Sequence, residues 1–146
     1  MKEITVLLPI DDSEGSQLAI DKARELTEKY NAHFILLTSL DISQRLTGYE
    51  DIDSTLQARM EAVGNKIHEK AKEQLEGFDV KSELVIGRPG EQILDFIDRN
   101  PIDLVIMATQ NQSRLKRFFM GSVTNFVLNH TTVPVLVIPM KGQDLS

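Results

Sequence analysis

The 146-residue chain contains no cysteine. This absence excludes disulfide bonds, zinc sites with thiolate ligands, iron–sulfur clusters and cysteine nucleophiles. None of the three histidines, His33, His68 and His130, stands at metal-ligand spacing from another, so we predict no metal site. We expect the side chains of His33 and His68 to be exposed. His130 follows a predicted helix, where a cation is favoured by the helix dipole, and we expect a structural role for it.

Long apolar runs and an excess of positive charge are also missing. The apolar run at residues 4–10 ends at Asp11 and Asp12 and is too short to cross a membrane. The formal net charge is -6, from 16 basic and 22 acidic residues, so the overall electrostatic field repels nucleic acids. We therefore expect a soluble cytoplasmic protein that binds neither a membrane nor a nucleic acid.

Two common catalytic motifs are absent as well. The chain has no GxSxG turn that would hold a serine nucleophile at the end of a strand. It also lacks the GxxxxGK[ST] loop, whose lysine supports rapid phosphoryl transfer. We predict no catalytic residue and no enzyme activity from the sequence pattern.

Five short apolar segments alternate with four amphipathic ones. The apolar segments predict strands at residues 4–10, 33–38, 80–86, 102–107 and 133–138. This alternation is typical of parallel strands joined by right-handed helical crossovers. The predicted fold is a doubly wound α/β domain over residues 1–140, with a five-stranded parallel sheet between four helices and a short tail at 141–146. In such sheets, ligands bind at the carboxyl ends of the strands where the strand order reverses, here the first and fourth strands.

The spacing of apolar residues predicts which face of each helix is buried. Asp12 or Ser13 would cap the first helix, and Gly77 would end the second. We expect the second helix to pack on the sheet, although its apolar stripe also fits a coiled coil. The residues predicted to face inward are Ala19, Ala23, Leu26 and Tyr30 in the first helix, Leu56, Met60, Val63, Ile67, Ala71 and Leu75 in the second, Ile93, Leu94, Phe96 and Ile97 in the third, and Val123, Phe126 and Val127 in the fourth.

Three segments carry a resemblance to a known family. After the fourth predicted strand, Ala108-Thr109-Gln110-Asn111 is followed by nine residues and then Gly121-Ser122. The chain also contains DDSEGS at 11–16 and PVLVIP at 134–139. With this element order, nearly the whole chain resembles the universal stress protein family. Nucleotide-binding members of that family carry GxxG, nine residues, and then glycine followed by serine or threonine.

The resemblance implies a stress-response regulatory module with a Rossmann-like fold of the adenine nucleotide alpha hydrolase type. Such a module binds ATP, ADP or AMP, with or without magnesium, and performs no fast chemistry. Slow ATP hydrolysis rests on the family alone. The implied contacts are Asp11 with adenine and ribose, Ser39 and Met107 near the adenine, Ala108, Asn111, Gly121 and Ser122 around the phosphates, and Val123 at the helix end.

The sequence departs from the family pattern at two loop positions, where Ala108 and Asn111 stand in place of glycine. A positive φ at Ala108 would cost roughly 1–2 kcal/mol, whereas asparagine tolerates the left-handed region better. The alternative hypothesis is therefore a homodimeric scaffold or interaction protein of the same fold that has lost nucleotide binding.

The other candidate residues also have structural interpretations. Asp11 suits a turn or helix cap, and Ser122 suits a helix N-cap. Ser39 and Met107 suit packing at strand ends. The segment that contains Ser113, Arg114, Lys116 and Arg117 is either a source of cations for a phosphate or a solvated surface.

The last predicted strand begins at Val133 and ends at Ile138 and is strongly apolar. An unpaired strand at the edge of a sheet invites pairing with another chain, and a twofold dimer would cover it. The resemblance implies dimerisation through this same strand. The alternative is an edge that Pro134 and Pro139 protect from pairing.

Overall fold

A computed structural model describes residues 2–41, 54–109 and 122–140. Within these ranges the chain alternates strands and helices in the predicted order. The elements are β1 (Glu3–Pro9), α1 (Glu14–Thr27), β2 (Asn31–Leu40), α2 (Ser54–Gln74), β3 (Asp79–Ile86), α3 (Pro89–Arg99), β4 (Leu104–Ala108), α4 (Ser122–His130) and β5 (Val135–Ile138). The α/β fold is thus confirmed, with boundaries that differ from the predicted ones by one or a few residues.

The five strands form one parallel sheet in the order β3-β2-β1-β4-β5. The chain starts in the middle at β1, builds outward to β3, and then crosses back to β4 beside β1. The carboxyl ends of β1 and β4 are therefore neighbours, at the point where the strand order reverses. This is where an open parallel sheet offers a crevice for a ligand.

Helices cover both faces of the sheet because the central strand is apolar on both sides. Val6 and Leu8 of β1 pack on one face with Ala19 and Ala23 of α1. Leu7 points to the other face and belongs to a cluster that includes Val127 of α4. Successive side chains of a strand point to opposite faces of the sheet. Because both faces are buried here, both sets of side chains are apolar, and the sequence shows a continuous apolar run.

The buried faces of three helices differ from the predicted ones. Leu26 and Tyr30 are about half exposed, and α1 instead buries Ile20 and Thr27 beside Ala19 and Ala23. Tyr30 is outside the helix, which ends at Thr27, so helical spacing does not apply to it. In α4, Phe126 is partly exposed and stacks on His130, while Val127 is buried.

The buried face of helix α2 agrees with the predicted one at Ala71 and Leu75 but differs from it earlier in the helix. Val63 is 55% exposed, whereas His68, expected at the surface, is only 3% exposed. The buried face runs through Gly64, His68 and Ala71 and continues at Leu75, directly after the helix, at intervals of four, three and four residues. The prediction counted only apolar side chains, so it missed Gly64 and His68 on this face. Across the described ranges, no helix is both long and apolar enough to cross a bilayer.

Candidate functional site

A pocket of about 280 Å³ opens at the carboxyl ends of β1 and β4. Its volume is close to the lower end of the roughly 300–1,000 Å³ typical of small-molecule sites. The described residues that line it are Pro9, Ile10, Asp11, Ser13, Gly15, Ser16, Leu37, Ser39, Pro89, Ile93, Met107, Ala108, Val123 and Thr124. Apolar side chains therefore meet a carboxylate and several hydroxyl groups in one cavity.

The pocket brings together five of the eight residues predicted for the site. Asp11, Ser39, Met107, Ala108 and Val123 all line it. Ser122 is the first residue of α4, with an exposed side chain, and is next to this lining. The other two predicted residues, Asn111 and Gly121, lie outside the described residues, as do Ser113, Arg114, Lys116 and Arg117.

Asp11 organises the turn between β1 and α1. Its Oδ1 atom accepts hydrogen bonds from the Ser13 backbone N–H and the Ser16 hydroxyl, both at 2.8 Å. The Ser16 Oγ atom in turn accepts the Asp11 backbone N–H at 2.8 Å. Asp11 thus has the structural role that its position in a turn suggests, and it performs that role within the pocket lining.

Ser13 is the N-cap of α1, which decides between the two predicted capping residues. Its hydroxyl oxygen accepts the Ser16 backbone N–H at 3.2 Å. This bond satisfies one of the N–H groups that a helix start leaves without an intrahelical partner. The cap and the Asp11 turn share Ser16, so the first turn of α1 and the end of β1 form one hydrogen-bonded unit.

Ser39 connects the end of β2 to the turn before α3. Its hydroxyl donates to the Gly87 carbonyl oxygen at 2.6 Å. The Ser39 proton is therefore engaged within the protein, and the oxygen keeps acceptor capacity. Met107, by contrast, is a buried lining residue and belongs to the core cluster that includes residues of α3 and α4.

Ala108 adopts ordinary strand conformation. It pairs with Ile138 of β5, and its carbonyl oxygen accepts a hydrogen bond from the Thr124 hydroxyl at 3.2 Å. Among the residues that the structure describes, only glycines have a positive φ. The strain expected for a positive φ at Ala108 therefore does not arise, and replacing a family glycine here leaves the backbone unstrained.

Three helices begin at the pocket. Ser13 and Gly15 belong to the start of α1, Pro89 to the start of α3, and Val123 and Thr124 to the first turn of α4. Helix N-termini carry exposed N–H donors and the positive end of the helix dipole. Asp11 is the sole titratable side chain in the described lining. This part of the pocket combines one carboxylate with helix ends that favour a negatively charged ligand group.

Several lining residues were not predicted from the sequence. Ser13, Ser16 and Thr124 read as ordinary helix-start residues, and their pocket position depends on how the helices dock. Gly15 allows α1 to approach β4 closely, because a Cβ atom there would lie 3.3 Å from the Ala108 Cβ and 3.2 Å from the Met140 Sδ. The serines that follow Asp11 at two- and five-residue spacing were the available signal for a structured turn.

Comparisons with known proteins agree with this architecture. A curated relative, Universal stress protein MJ0577 of Methanocaldococcus jannaschii, is 28% identical, and the match covers 94% of this chain and 95% of the relative. The structure of universal stress protein UspA from Lactobacillus plantarum superposes with a TM-score of 0.76 at 23% identity, covering 94% of this chain and 99% of that one.

Two other solved structures contain nucleotides. A universal stress protein in complex with cAMP gives a TM-score of 0.68 at 22% identity, covering 95% of this chain and 98% of that one. The structure of the universal stress protein from Archaeoglobus fulgidus in complex with dAMP gives a TM-score of 0.63 at 16% identity, covering 94% of this chain and 98% of that one. A sequence model of the universal stress protein family matches residues 5–139. The match begins within β1, ends after β5 and includes every described residue of the pocket lining, and the chain belongs to the universal stress protein family.

Proposed function

We propose that this protein binds an adenine nucleotide in the Asp11 pocket and acts as a regulatory module in the stress response. The observation that carries the proposal is the position of the pocket: it lies at the reversal point of the sheet and is bordered by three helix starts. That arrangement offers an apolar cavity for a base and positive helix ends for a phosphate.

The residues present fit such a ligand. Met107, Ile93 and Val123 provide apolar surface against which a flat base can pack. Asp11 and Ser39 present oxygen atoms at the same cavity, suited to accept hydrogen bonds from ribose hydroxyls or a base amino group. In this proposal the phosphates lie toward the start of α4, where Ser122 adds a hydroxyl donor. Ala108, Asn111 and Gly121 complete the phosphate surroundings.

The nucleotide complexes of relatives with this fold support the choice of ligand class. One of those proteins holds cAMP and another holds dAMP. Both ligands are adenine nucleotides with a single phosphate. AMP is therefore the first probe, and ATP and ADP are the second. Magnesium enters the proposal only with ATP or ADP, where it would bind through the phosphates.

Binding without fast catalysis is part of the proposal. The Oδ1 atom of Asp11, the one titratable group in the described lining, is engaged by Ser13 and Ser16. A general base needs a free oxygen within hydrogen-bond reach of the attacking water, and this oxygen already accepts two hydrogen bonds from the protein. This engagement of Oδ1 makes it poorly suited to act as a general base, which supports binding without fast catalysis.

A homodimer in the cytoplasm is also proposed. β5 pairs with β4 on one side, and within the described residues no strand pairs with its other side. Pairing of two copies along β5 would complete this edge. The absence of cysteine suits a reducing compartment.

The test is calorimetric titration with AMP and then with ATP, each with and without magnesium. We expect saturable binding at one site per chain. Val123→Phe should fill the pocket and weaken binding at least about tenfold. Val63→Phe is the matched control, since it makes the same change on an exposed helix position away from the pocket, and it should bind normally. A folded protein that binds neither nucleotide would favour the alternative hypothesis, a scaffold protein of the same fold that has lost nucleotide binding.

A further inference from the structure

We propose that His68 is a positioning residue for the turn that presents Asp11: through the Thr38 hydroxyl, it fixes the carbonyl group of Ile10. The inference rests on the proposed function in one respect, namely that the turn serves nucleotide binding. The hydrogen bonds through Thr38 connect α2, none of whose described residues lines this pocket, to the end of β1, which does line it.

The three groups form a continuous buried chain of hydrogen bonds. The Nε2 atom of His68 is 2.8 Å from the Thr38 Oγ1 atom, and that oxygen is 2.7 Å from the Ile10 carbonyl oxygen. His68, Thr38 and Ile10 are 3%, 5% and 5% exposed. Water does not compete well at such a position, so each polar group depends on its protein partner.

Which group donates and which accepts in each hydrogen bond follows from counting protons. A threonine hydroxyl has one proton, and a carbonyl oxygen can only accept, so Thr38 donates to Ile10. The Thr38 oxygen must then accept from His68, which requires a proton on Nε2. Burial, reinforced by the nearby Lys72 charge, lowers the pKa of His68 to about 4 and keeps the ring neutral near pH 7. The neutral ring therefore has its proton on Nε2 and none on Nδ1.

These hydrogen bonds complete the support of the turn that lines the pocket. The Ile10 N–H donates to the Leu37 carbonyl at 2.9 Å, so β2 already holds one side of that residue. The Thr38 hydroxyl holds the other side, and the next N–H, that of Asp11, donates to Ser16. His68 orients the hydroxyl because its Nε2–H leaves the threonine proton only one acceptor. A histidine on α2 thereby determines where the backbone enters the pocket.

The proposal is tested first on the unaltered protein. Long-range proton–nitrogen NMR of His68 should show the neutral ring with Nε2 protonated at pH 7. A proton on Nδ1 instead would reverse the chain and overturn the proposal. This measurement needs no ligand and no variant.

The second test removes the hydroxyl while preserving shape. Thr38→Val keeps the side-chain volume and loses the donor, and Thr38→Ser is the matched control that retains it. We expect Thr38→Val to weaken AMP binding about fivefold, the effect of losing one hydrogen bond. It should also speed amide exchange at Asp11, with Thr38→Ser close to the unaltered protein. His68→Leu combined with Thr38→Val should weaken binding no further than Thr38→Val alone.

The outcomes separate this proposal from the proposed function. Unchanged AMP affinity and unchanged exchange at Asp11 in a folded Thr38→Val protein would show that the chain only stabilises the fold. If the unaltered protein does not bind AMP, the proposed function fails, and exchange at Asp11 still decides whether His68 positions the turn. If Thr38→Val does not fold, His68→Gln against His68→Leu makes the same comparison, since glutamine retains an N–H donor.

Discussion

At the scale of single residues, the pKa values of two histidines are shifted in opposite directions. Burial lowers the pKa of His68 to about 4, with a further contribution from Lys72. The hydrogen bond to Asp79 raises the pKa of His33, with a smaller contribution from Glu3. The first group is buried in the core of the domain and the second lies at the start of the sheet, so their effects on stability can be measured separately.

His68 should make the fold sensitive to mild acid. Its ring is neutral in the native state, while the unfolded chain binds a proton near the ordinary pKa of 6.5. Its contribution to stability is therefore present above pH 6.5 and is lost as the pH falls toward 4. The full shift corresponds to about 3 kcal/mol in the free energy of unfolding. Urea unfolding across this range should show the decline, and His68→Gln should flatten it. Parallel pH profiles of the two proteins would contradict the assignment.

His33 should titrate above its ordinary value because two carboxylates favour its protonated form. The Nδ1 atom is 2.8 Å from Asp79, and the Nε2 atom is 3.6 Å from Glu3. The stability from this contact is present below pH 6.5 and is lost as the pH rises through the raised pKa. An NMR titration should show that Asp79→Asn lowers the pKa of His33 more than Glu3→Gln does. Equal effects would mean that the shorter contact is not the dominant one.

At the scale of elements, strands were easier to predict than the faces of helices. A strand that is buried on both sides is apolar at every position, so β1 and β4 were visible as runs. The buried face of a helix depends on its rotation, which contacts with the sheet determine. In α2, Gly64 and His68 face the core of the domain while Val63 faces solvent. A count of apolar residues does not predict this rotation of the helix.

The end of α2 depends on a backbone conformation that favours glycine. Gly77 has a φ of +97°, and a Cβ atom there would meet nothing within 4 Å. The cost of a side chain is therefore backbone strain alone. Gly77→Ala should lower the free energy of unfolding by about 1–2 kcal/mol, and Gly77→Asn should cost less. Chemical denaturation measures both, and equal losses would rule out strain as the cause.

The candidate site could be predicted only in part. The family resemblance implied Ser39, Met107 and Val123 as site residues. Asp11 and Ala108 could be predicted from the fold as well, because the carboxyl ends of the first and fourth strands meet where the strand order reverses. Ser13, Ser16 and Thr124 could not, because their pocket position follows from how α1 and α4 dock on the sheet. The Thr38 and His68 pair is separated by 30 positions in the chain, and its contact is a consequence of tertiary packing.

At the scale of the whole molecule, the outer edge of β5 is the surface on which the proposed dimer depends. Leu136 is 37% exposed on this strand. Leu136→Lys should raise the dimer dissociation constant at least tenfold, which corresponds to about 1.4 kcal/mol. Leu26→Lys is the matched control, since Leu26 is about half exposed on α1. Sedimentation that shows the same association for both variants would locate the dimer contact elsewhere.

Nucleotide binding in the Asp11 pocket is the central claim, and a site-resolved measurement tests it most directly. Backbone amide NMR spectra would be recorded while AMP is added to the unaltered protein. The account predicts saturable shifts at Asp11, Ser39, Met107, Ala108 and Val123, with none at the amino-terminal ends of the strands. Unchanged spectra at saturating AMP, or shifts confined to another surface, would contradict it.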